Sequence, residues 1–225
     1  MPTSSFFSAV LFDMDGTLVD SEPLWLLCEQ ELTARFGYDW TTEDQAHCLG
    51  GPLDRVGRYM HNLTKAESPE FFTNSLIDLM AHRLRLGAPF MPGSEKLLEL
   101  CVSMGLPLAL VSASPRVLVD AVLDNLTSHP FDISISSDDV AHVKPHPEGY
   151  LKAAEQLGVS IQNSLIIEDS ATGVTAAEKS GGWVIAIPHL VKIEKRGRVQ
   201  TYPSLLDLTY VELNNLYSRW VLSSE

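Results

Sequence analysis

Short apolar runs alternate along the chain with segments that have the periodicity of helices. The clear runs lie at residues 8–12, 106–111, 164–167 and 183–187, and a weaker one lies at 131–136. The helical segments lie at residues 94–104, 115–126, 147–157 and 171–180. Continuous apolar strands separated by helical patterns are typical of a parallel sheet with helices on both faces. The pattern therefore predicts an α/β fold.

The stretch from about residue 21 to residue 89 breaks this alternation. It reads as helices at residues 23–36, 42–48, 53–63 and 69–86, and it offers no obvious strand. A helical block between the first and second strands of an α/β sheet indicates an inserted domain. We therefore predict an α/β core of residues 1–19 and 90–225 and a small all-helical cap of residues 20–89.

The composition is that of an ordinary globular protein, with 45% hydrophobic and 20% charged residues in a chain of 225. The formal net charge of -13 argues against nucleic acid or an anionic membrane surface as a partner. It does not exclude an anionic substrate, because a local metal ion or lysine can reverse the field in a cleft. Three scattered cysteines have neither metal-ligand nor disulfide spacing, and the first residues lack the basic start of a signal peptide. We therefore expect a cytoplasmic protein that acts on a small molecule, and the sequence slightly favours a monomer.

Two aspartates, Asp13 and Asp15, follow the first apolar run. Side chains two residues apart in an extended strand point the same way, so both carboxylates should lie at the carboxyl end of a buried strand. Two like charges that close are costly unless a cation or a proton intervenes. The pair therefore indicates a divalent cation, with one carboxylate able to attack and the other able to carry a proton. The plainer interpretation is that both aspartates cap a turn.

A hydroxyl and a lysine stand at two later positions. Ser112 follows the run at 106–111, where backbone N–H groups at a helix start can hold a phosphate. Plain helix capping by Ser114 is the alternative. Lys144 lies in a proline-rich turn, where the following proline favours an extended backbone, and it could equally be a surface lysine. His146, between two prolines, is interpreted as structural.

Two adjacent acids, Glu168 and Asp169, end the run at 164–167. Adjacent carboxylates are unusual at the end of a buried strand without a cation nearby, and oxygen atoms are the ligands that Mg²⁺ takes. Capping of the next helix by Asp169 or Ser170 is the alternative. Each of the four motifs is weak alone. Because the carboxyl ends of parallel strands open on one edge of a sheet, all four are expected to converge there.

Together these motifs resemble those of the haloacid dehalogenase superfamily of phosphohydrolases, in the order in which that family carries them. The matching residues, motif by motif, are Asp13 to Thr17, Ser112, Lys144, and Glu168 with Asp169. The resemblance covers nearly the whole chain and implies a Rossmann-like core. More narrowly, the chain resembles the branch of this superfamily that has a small helical cap. That branch includes sugar-phosphate phosphatases, phosphoglycolate phosphatase and β-phosphoglucomutase. The residues Asp20 to Trp25 also resemble the hexose-phosphate phosphatases of this branch.

The resemblance implies a role for each matching residue. Asp13 would be the nucleophile that forms an aspartyl-phosphate, and Asp15 would protonate the leaving oxygen and then activate water. The phosphoryl group would be bound by Ser112, the Ala113 amide, Lys144, Gly16 and Thr17. Mg²⁺ would be held by Asp13, the backbone carbonyl of Asp15, Asp169 and Glu168. A carboxylate nucleophile divides a difficult displacement into two steps, and the metal and lysine charges neutralise the transferring group.

The favoured function is therefore a Mg²⁺-dependent phosphatase of small phosphomonoesters, with hexose 6-phosphates as the first expected substrates. A phosphomutase on the same fold is the alternative, and a non-catalytic phospho-ligand binder is a third candidate. The β-phosphoglucomutase relatives carry a cap histidine where this chain has Trp25, and a cap-loop arginine where it has Asp54 beside Arg55. Both departures favour water as the final acceptor. The loop from Gly50 to Asp54 is expected either to reach into the site or to be an ordinary turn between helices.

Overall fold

The computed structural model describes residues 6–48, 52–126, 130–188 and 193–222. Its strands are β1 Val10–Phe12, β2 Leu108–Val111, β3 Ile133–Ile135, β4 Leu165–Glu168, β5 Trp183–Ala186 and β6 Val199–Thr201. Its α-helices within those residues are α1 Glu22–Ala34, α2 Thr42–Cys48, α3 Leu53–Thr64, α4 Pro69–Leu86, α5 Ser94–Ser103, α6 Arg116–Leu123, α7 Glu148–Leu157, α8 Ala171–Ser180 and α9 Tyr210–Leu222.

The six strands form one parallel sheet in the order β3-β2-β1-β4-β5-β6. β1 lies at the centre, with Leu11 opposite Ala109 of β2 on one side and Ile166 of β4 on the other. The winding of the chain reverses at β1, and open α/β sheets bind ligands at the carboxyl ends of the strands beside such a point. The predicted parallel α/β sheet is confirmed. The position of the reversal predicts a ligand site at the carboxyl end of β1.

Both faces of this sheet are covered. All three residues of β1 are buried, and alternate residues of a strand point to opposite faces. On one face, Leu11 belongs to an apolar cluster that includes Ala153 of α7 and Val174 of α8. On the other, the Phe12 ring meets the Phe131 ring edge to face, with their centroids 6.0 Å apart. Burial on both faces explains why β1 reads as a continuous apolar run.

The chain divides into two compact units. The first comprises Met1–Asp20, Pro89–Val119 and Ser128–Glu225, and it contains the whole sheet. The second comprises Ser21–Ala88 and Asp120–Thr127. Within the second unit, α4 packs against α1 and α3, and Arg83 of α4 forms an ion pair with Glu31 of α1 at 2.6 Å. Of the loop predicted from Gly50 to Asp54, Gly50 and Gly51 lie outside the described residues.

The sequence pattern does not predict β6 or α9. β6 has three residues, of which Val199 alone is fully buried, so it lacks the continuous apolar run that marks the other strands. α9 begins with the exposed residues Tyr210 and Val211, which hide its amphipathic pattern. Its buried face is nevertheless legible in Leu213, Leu216 and Trp220, at helical spacing. In the part of the chain that the structure describes, no helix combines the length and apolarity needed to cross a bilayer.

Candidate active site

The turn after β1 places Asp13 and Asp15 at the carboxyl edge of the sheet. The Asp13 N–H donates to the Ile167 carbonyl at 3.0 Å, which continues the pairing of β1 with β4 beyond the strand. Gly16 then turns the chain with a φ of +81°, and its N–H donates to the Val19 carbonyl at 2.8 Å. A positive φ is strained for residues with a Cβ, so the turn favours glycine here. The result is a tight turn that presents both carboxylates at one edge.

Lys144 joins the ends of three strands through its ammonium group. Nζ donates to Asp13 Oδ1 at 2.5 Å, to Glu168 Oε1 at 2.7 Å and to the Val111 carbonyl at 2.9 Å. Tyr150 of α7 donates its hydroxyl to the same Glu168 oxygen at 2.6 Å. The Glu168 side chain is fully buried, and that of Lys144 is 9% exposed. Lys144 and Glu168 therefore form a buried ion pair at the edge of the sheet that also carries Asp13.

Burial and charge act in opposite directions on these groups. Burial alone lowers the pKa of Lys144, but the charges of Asp13 and Glu168 outweigh it and raise that pKa well above its usual range. Burial raises the pKa of Asp13 well above its ordinary value, and the Lys144 charge opposes this. Burial, followed by the charge of Glu168, raises the pKa of Asp169 to about 7. The lysine therefore stays charged, while the carboxylates lack enough positive charge to ionise together without a cation.

Asp13, Glu168 and Asp169 form an acidic cluster whose potential ligand atoms lie within 4.8 Å of one another. Three carboxylates against the single ammonium of Lys144 leave two negative charges, which one divalent cation would balance. The turn is also shaped for this cluster, because a Cβ on Gly16 would lie 2.3 Å from Asp169 Oδ2. Hard oxygen ligands are those that Mg²⁺ prefers. These residues therefore fit a Mg²⁺ ion.

Within this acidic cluster, Glu168 differs from Asp169 because both of its oxygens accept hydrogen bonds. Oε1 accepts from Lys144 and Tyr150, and Oε2 accepts the Asp169 N–H at 3.1 Å. The carboxylate packs directly against the start of α8, where a Cβ on Gly173 would lie 1.8 Å from Oε1. Both Glu168 oxygens therefore already have protein donors, and the metal-ligand role of Glu168 stays a prediction together with those of Asp13 and Asp169.

Asp15 lies beside two hydroxyl groups. Ser114 Oγ donates to Asp15 Oδ2 at 2.8 Å, and Ser112 Oγ donates to the same oxygen at 3.4 Å. Ser112 Oγ also accepts the Ser114 N–H at 2.9 Å. The alternative that Ser114 merely caps a helix is wrong, because α6 begins at Arg116, whose N–H donates to Asp138. Ser114 instead orients Asp15.

The other residues predicted at this edge have distinct surroundings. Ala113 is exposed between the two serines. Thr17 is 1% exposed, and its Oγ1 has no hydrogen-bond partner among the residues that the structure describes. Ser170 caps α8 by accepting the Gly173 N–H at 3.0 Å. The capping alternative is therefore right for Ser170, while the Asp169 carboxylate belongs to the acidic cluster.

Sequence reasoning misses two side chains of this site. Tyr150 shares a buried face of α7 with Ala153 and Ala154, and that helical spacing predicts burial. Because a buried tyrosine hydroxyl needs a partner, the pattern could have placed Tyr150 near a strand-end acid, though it could not say which one. Ser114 carries no signal beyond its position two residues after Ser112.

Comparison with known proteins gives one family and one fold. A family model described as haloacid dehalogenase-like hydrolase matches residues 10–187. Hexitol phosphatase B of Escherichia coli (strain K12) is 31% identical over 192 residues, covering 84% of this chain and 86% of that protein. Phosphorylated carbohydrates phosphatase of Thermotoga maritima is 31% identical over 179 residues, covering 77% and 81%. The crystal structure of β-phosphoglucomutase from Clostridium difficile has a TM-score of 0.76 at 20% identity, covering 96% and 100%, and this likeness shows the fold alone.

The close approach of Gly16 to Asp169 predicts that Gly16→Ala weakens Mg²⁺ binding. The new Cβ would displace the Asp169 carboxylate, so we expect the Mg²⁺ dissociation constant to rise roughly tenfold or more. Gly158→Ala is the matched control, because Gly158 has a φ of +68° with nothing within 4 Å of an added Cβ. Isothermal titration with Mg²⁺ measures both variants, and urea unfolding should show a similar loss of stability from backbone strain. Equal Mg²⁺ affinities would contradict the proposed contact.

The raised pKa of Asp169 predicts a pH-dependent stability in the metal-free protein. Its pKa is about 7 in the folded state against 3.8 as the ordinary value. A group with a raised folded pKa stabilises the fold fully below its unfolded pKa and loses that contribution as the pH rises through the folded value. In EDTA, the unfolding free energy should therefore fall between about pH 4 and about pH 7, by at most about 1.4 kcal/mol per pH unit from this group. Asp169→Asn should remove this part of the pH dependence of the unfolding free energy, as measured by urea unfolding at several pH values. Parallel pH profiles for wild type and variant would refute the prediction.

Proposed function

The chain belongs to the haloacid dehalogenase-like hydrolase family, and we propose that it is a Mg²⁺-dependent phosphatase of small phosphorylated sugars or polyols. The family membership confirms the resemblance drawn from the four motifs. The observation that carries the proposal is the buried Asp13 carboxylate, which lies 2.5 Å from Lys144 Nζ and beside a second acid, Asp169. Asp15 stands two residues further on, at the same edge of the sheet.

Asp13 is the proposed nucleophile. One of its carboxylate oxygens attacks the phosphorus, the bond from phosphorus to the sugar oxygen breaks, and an aspartyl-phosphate forms. The Lys144 charge favours the ionised form of Asp13 and meets the charge of the phosphoryl oxygens. The Ser112 hydroxyl and the Ala113 amide are the proposed further donors to the same group. The buried hydroxyl of Thr17 is a further donor on the turn.

Asp15 is the proposed acid in the first step and base in the second. It gives a proton to the departing alkoxide, and it then takes a proton from the water that attacks the phosphorus and frees Asp13. The hydrogen bond from Ser114 at 2.8 Å orients its carboxylate. Asp13, by contrast, accepts from the Lys144 ammonium, so the two aspartates of the turn have different hydrogen-bond donors.

Mg²⁺ would be held by Asp13, Asp169 and the backbone carbonyl of Asp15, and when bound it supplies positive charge for the phosphoryl oxygens. Glu168 contributes chiefly through Lys144, which it fixes at 2.7 Å. This division lets one acid hold the lysine while its neighbour contacts the metal. The resulting charge explains how a protein of net charge -13 can attract a phosphate ester.

The proposed substrates are hexitol and hexose 6-phosphates. Two relatives that match most of this chain are named for hexitol phosphates and phosphorylated carbohydrates. The segment from Asp20 to Trp25 carries the resemblance to the hexose-phosphate phosphatases. Trp25 is half-buried on α1, and an indole ring suits the apolar face of a sugar.

Hydrolysis is favoured over the phosphomutase alternative by the charged residues at the start of α3. Asp54, at the position of the mutase arginine, pairs with Arg58 at 2.7 Å. The neighbouring Arg55 donates to the carbonyl of His47, within the same unit. Trp25, at the position of the cap histidine, has only a donor N–H and cannot act as a base. These residues leave the second phosphoryl transfer to water.

A panel of phosphate esters with and without Mg²⁺ tests the proposed function. We expect hexitol and hexose 6-phosphates to be hydrolysed fastest, with no turnover in EDTA or by Asp13→Asn. With glucose 1-phosphate as substrate, the release of free phosphate and the formation of glucose 6-phosphate should be measured in the same reaction. Isomer formation faster than phosphate release would make the protein a mutase, and activity in EDTA equal to that in Mg²⁺ would exclude the site proposed here.

The role of Asp15 predicts a dependence on the leaving group. Asp15→Asn should slow the first turnover of a hexitol phosphate about 10²- to 10⁴-fold, because the alkoxide must be protonated. With 4-nitrophenyl phosphate, whose leaving group needs no proton, the first turnover should be slowed much less. A burst of about one equivalent of nitrophenol should then precede slow hydrolysis of the intermediate. Rapid-quench and stopped-flow measurements distinguish the two steps, and equal losses on both esters would contradict Asp15 as the acid.

A further inference from the structure

Three potential metal ligands lie together on the segment that carries Lys144. His142, His146 and Glu148 offer ligand atoms within 4.8 Å of one another, and they form a group separate from the acidic cluster. His142 Nδ1 lies 3.0 Å from Glu148 Oε2, and His146 Nδ1 lies 3.8 Å from the same oxygen. Two atoms that bind a tetrahedral ion at about 2.1 Å are about 3.4 Å apart. The two measured distances bracket that value.

We propose that His142, His146 and Glu148 form a second metal site, which takes a divalent transition-metal ion and Zn²⁺ in particular. Two imidazole nitrogens with one carboxylate are a donor set for Zn²⁺, Cu²⁺ or Ni²⁺, whereas Mg²⁺ prefers a set made of oxygens alone. The two sites of this protein therefore differ in the ion that they select. This inference does not depend on the proposed phosphatase activity.

The backbone holds the three side chains in place before an ion arrives. The Glu148 carboxylate accepts the N–H groups of Ala141 at 2.7 Å and His142 at 3.0 Å. The Glu148 N–H donates to His146 Nδ1 at 3.3 Å, so this nitrogen carries a lone pair in the neutral ring, and an ion bound there would replace this long hydrogen bond. The flanking prolines Pro145 and Pro147 restrict the backbone of His146. The ligands therefore lose little conformational freedom when they bind an ion.

An ion can reach this site from solvent. The His142 and His146 side chains are 67% and 51% exposed, and their ring centroids are 4.7 Å apart. Three protein ligands leave a fourth position for water. Because His142 and His146 lie two residues on either side of Lys144, a bound ion would link the two ends of the turn that carries this lysine.

Titration with Zn²⁺ in saturating Mg²⁺ tests the proposal, because Mg²⁺ then occupies the acidic cluster. The full-length wild-type chain should bind one Zn²⁺ that the double variant His142→Gln, His146→Gln binds roughly tenfold or more weakly. His82→Gln is the matched control, since His82 is exposed on α4, and it should bind like wild type. Circular dichroism should show the same melting for all three proteins in Mg²⁺ alone.

Spectroscopy of the wild-type chain gives a second readout that does not rely on a variant. One equivalent of Cu²⁺ added in saturating Mg²⁺ should give an electron paramagnetic resonance spectrum with hyperfine coupling to nitrogen. The amides of residues 141–149 should also exchange more slowly with deuterium when Zn²⁺ is present. Zn²⁺ affinity that is equal in wild type and the double variant, or a copper spectrum with oxygen ligands alone, would overturn the proposal.

Discussion

The ion pairs of Lys144 with Asp13 and Glu168 are the interaction on which the rest of this site depends. A buried charge is tolerated only with partners, and the ammonium has two carboxylates and a backbone carbonyl within 2.9 Å. Because its acceptors come from β1, β2 and β4, the lysine links the central strands at the edge where they end. The requirement to satisfy one buried cation thus sets the positions of Asp13 and Glu168 together.

The same requirement explains the residues around the pair. Glu168 needs further donors because it is fully buried, and it obtains them from the Tyr150 hydroxyl and the Asp169 N–H. Its carboxylate fits against α8 only because Gly173 has no Cβ. Asp15 accepts hydrogen bonds from the Ser114 and Ser112 hydroxyls, whereas Asp13 accepts from the Lys144 ammonium. Two aspartates of one turn therefore have different hydrogen-bond donors, which is the basis for the different chemical roles proposed for them.

Much of the fold follows from the sequence because it is encoded locally. Continuous apolar strands and amphipathic helices are visible in single windows, so the five predicted strands correspond to β1 to β5 and the eight predicted helices to α1 to α8. β6 lacks a continuous apolar run because only Val199 of its three residues is apolar, and its place in the sheet comes from pairing with β5. The order of strands, with β1 between β2 and β4, is a property of the whole sheet that no single window specifies. Because the carboxyl ends of parallel strands open on one edge, the sequence nevertheless predicts that the four strand-end motifs meet.

The contacts within the site are less predictable, because they depend on directions of side chains that spacing does not specify. Glu168 and Asp169 are adjacent acids at the end of β4, and the sequence offers no reason to give them different tasks. In the structure, consecutive residues diverge. Glu168 turns inward to Lys144, and Asp169 turns toward Gly16 of the neighbouring turn. A pair of acids at a strand end thus provides one buried partner for the lysine and one carboxylate that faces the turn after β1. The difference follows from the alternation of side chains along an extended chain, which directs two adjacent residues to different neighbours.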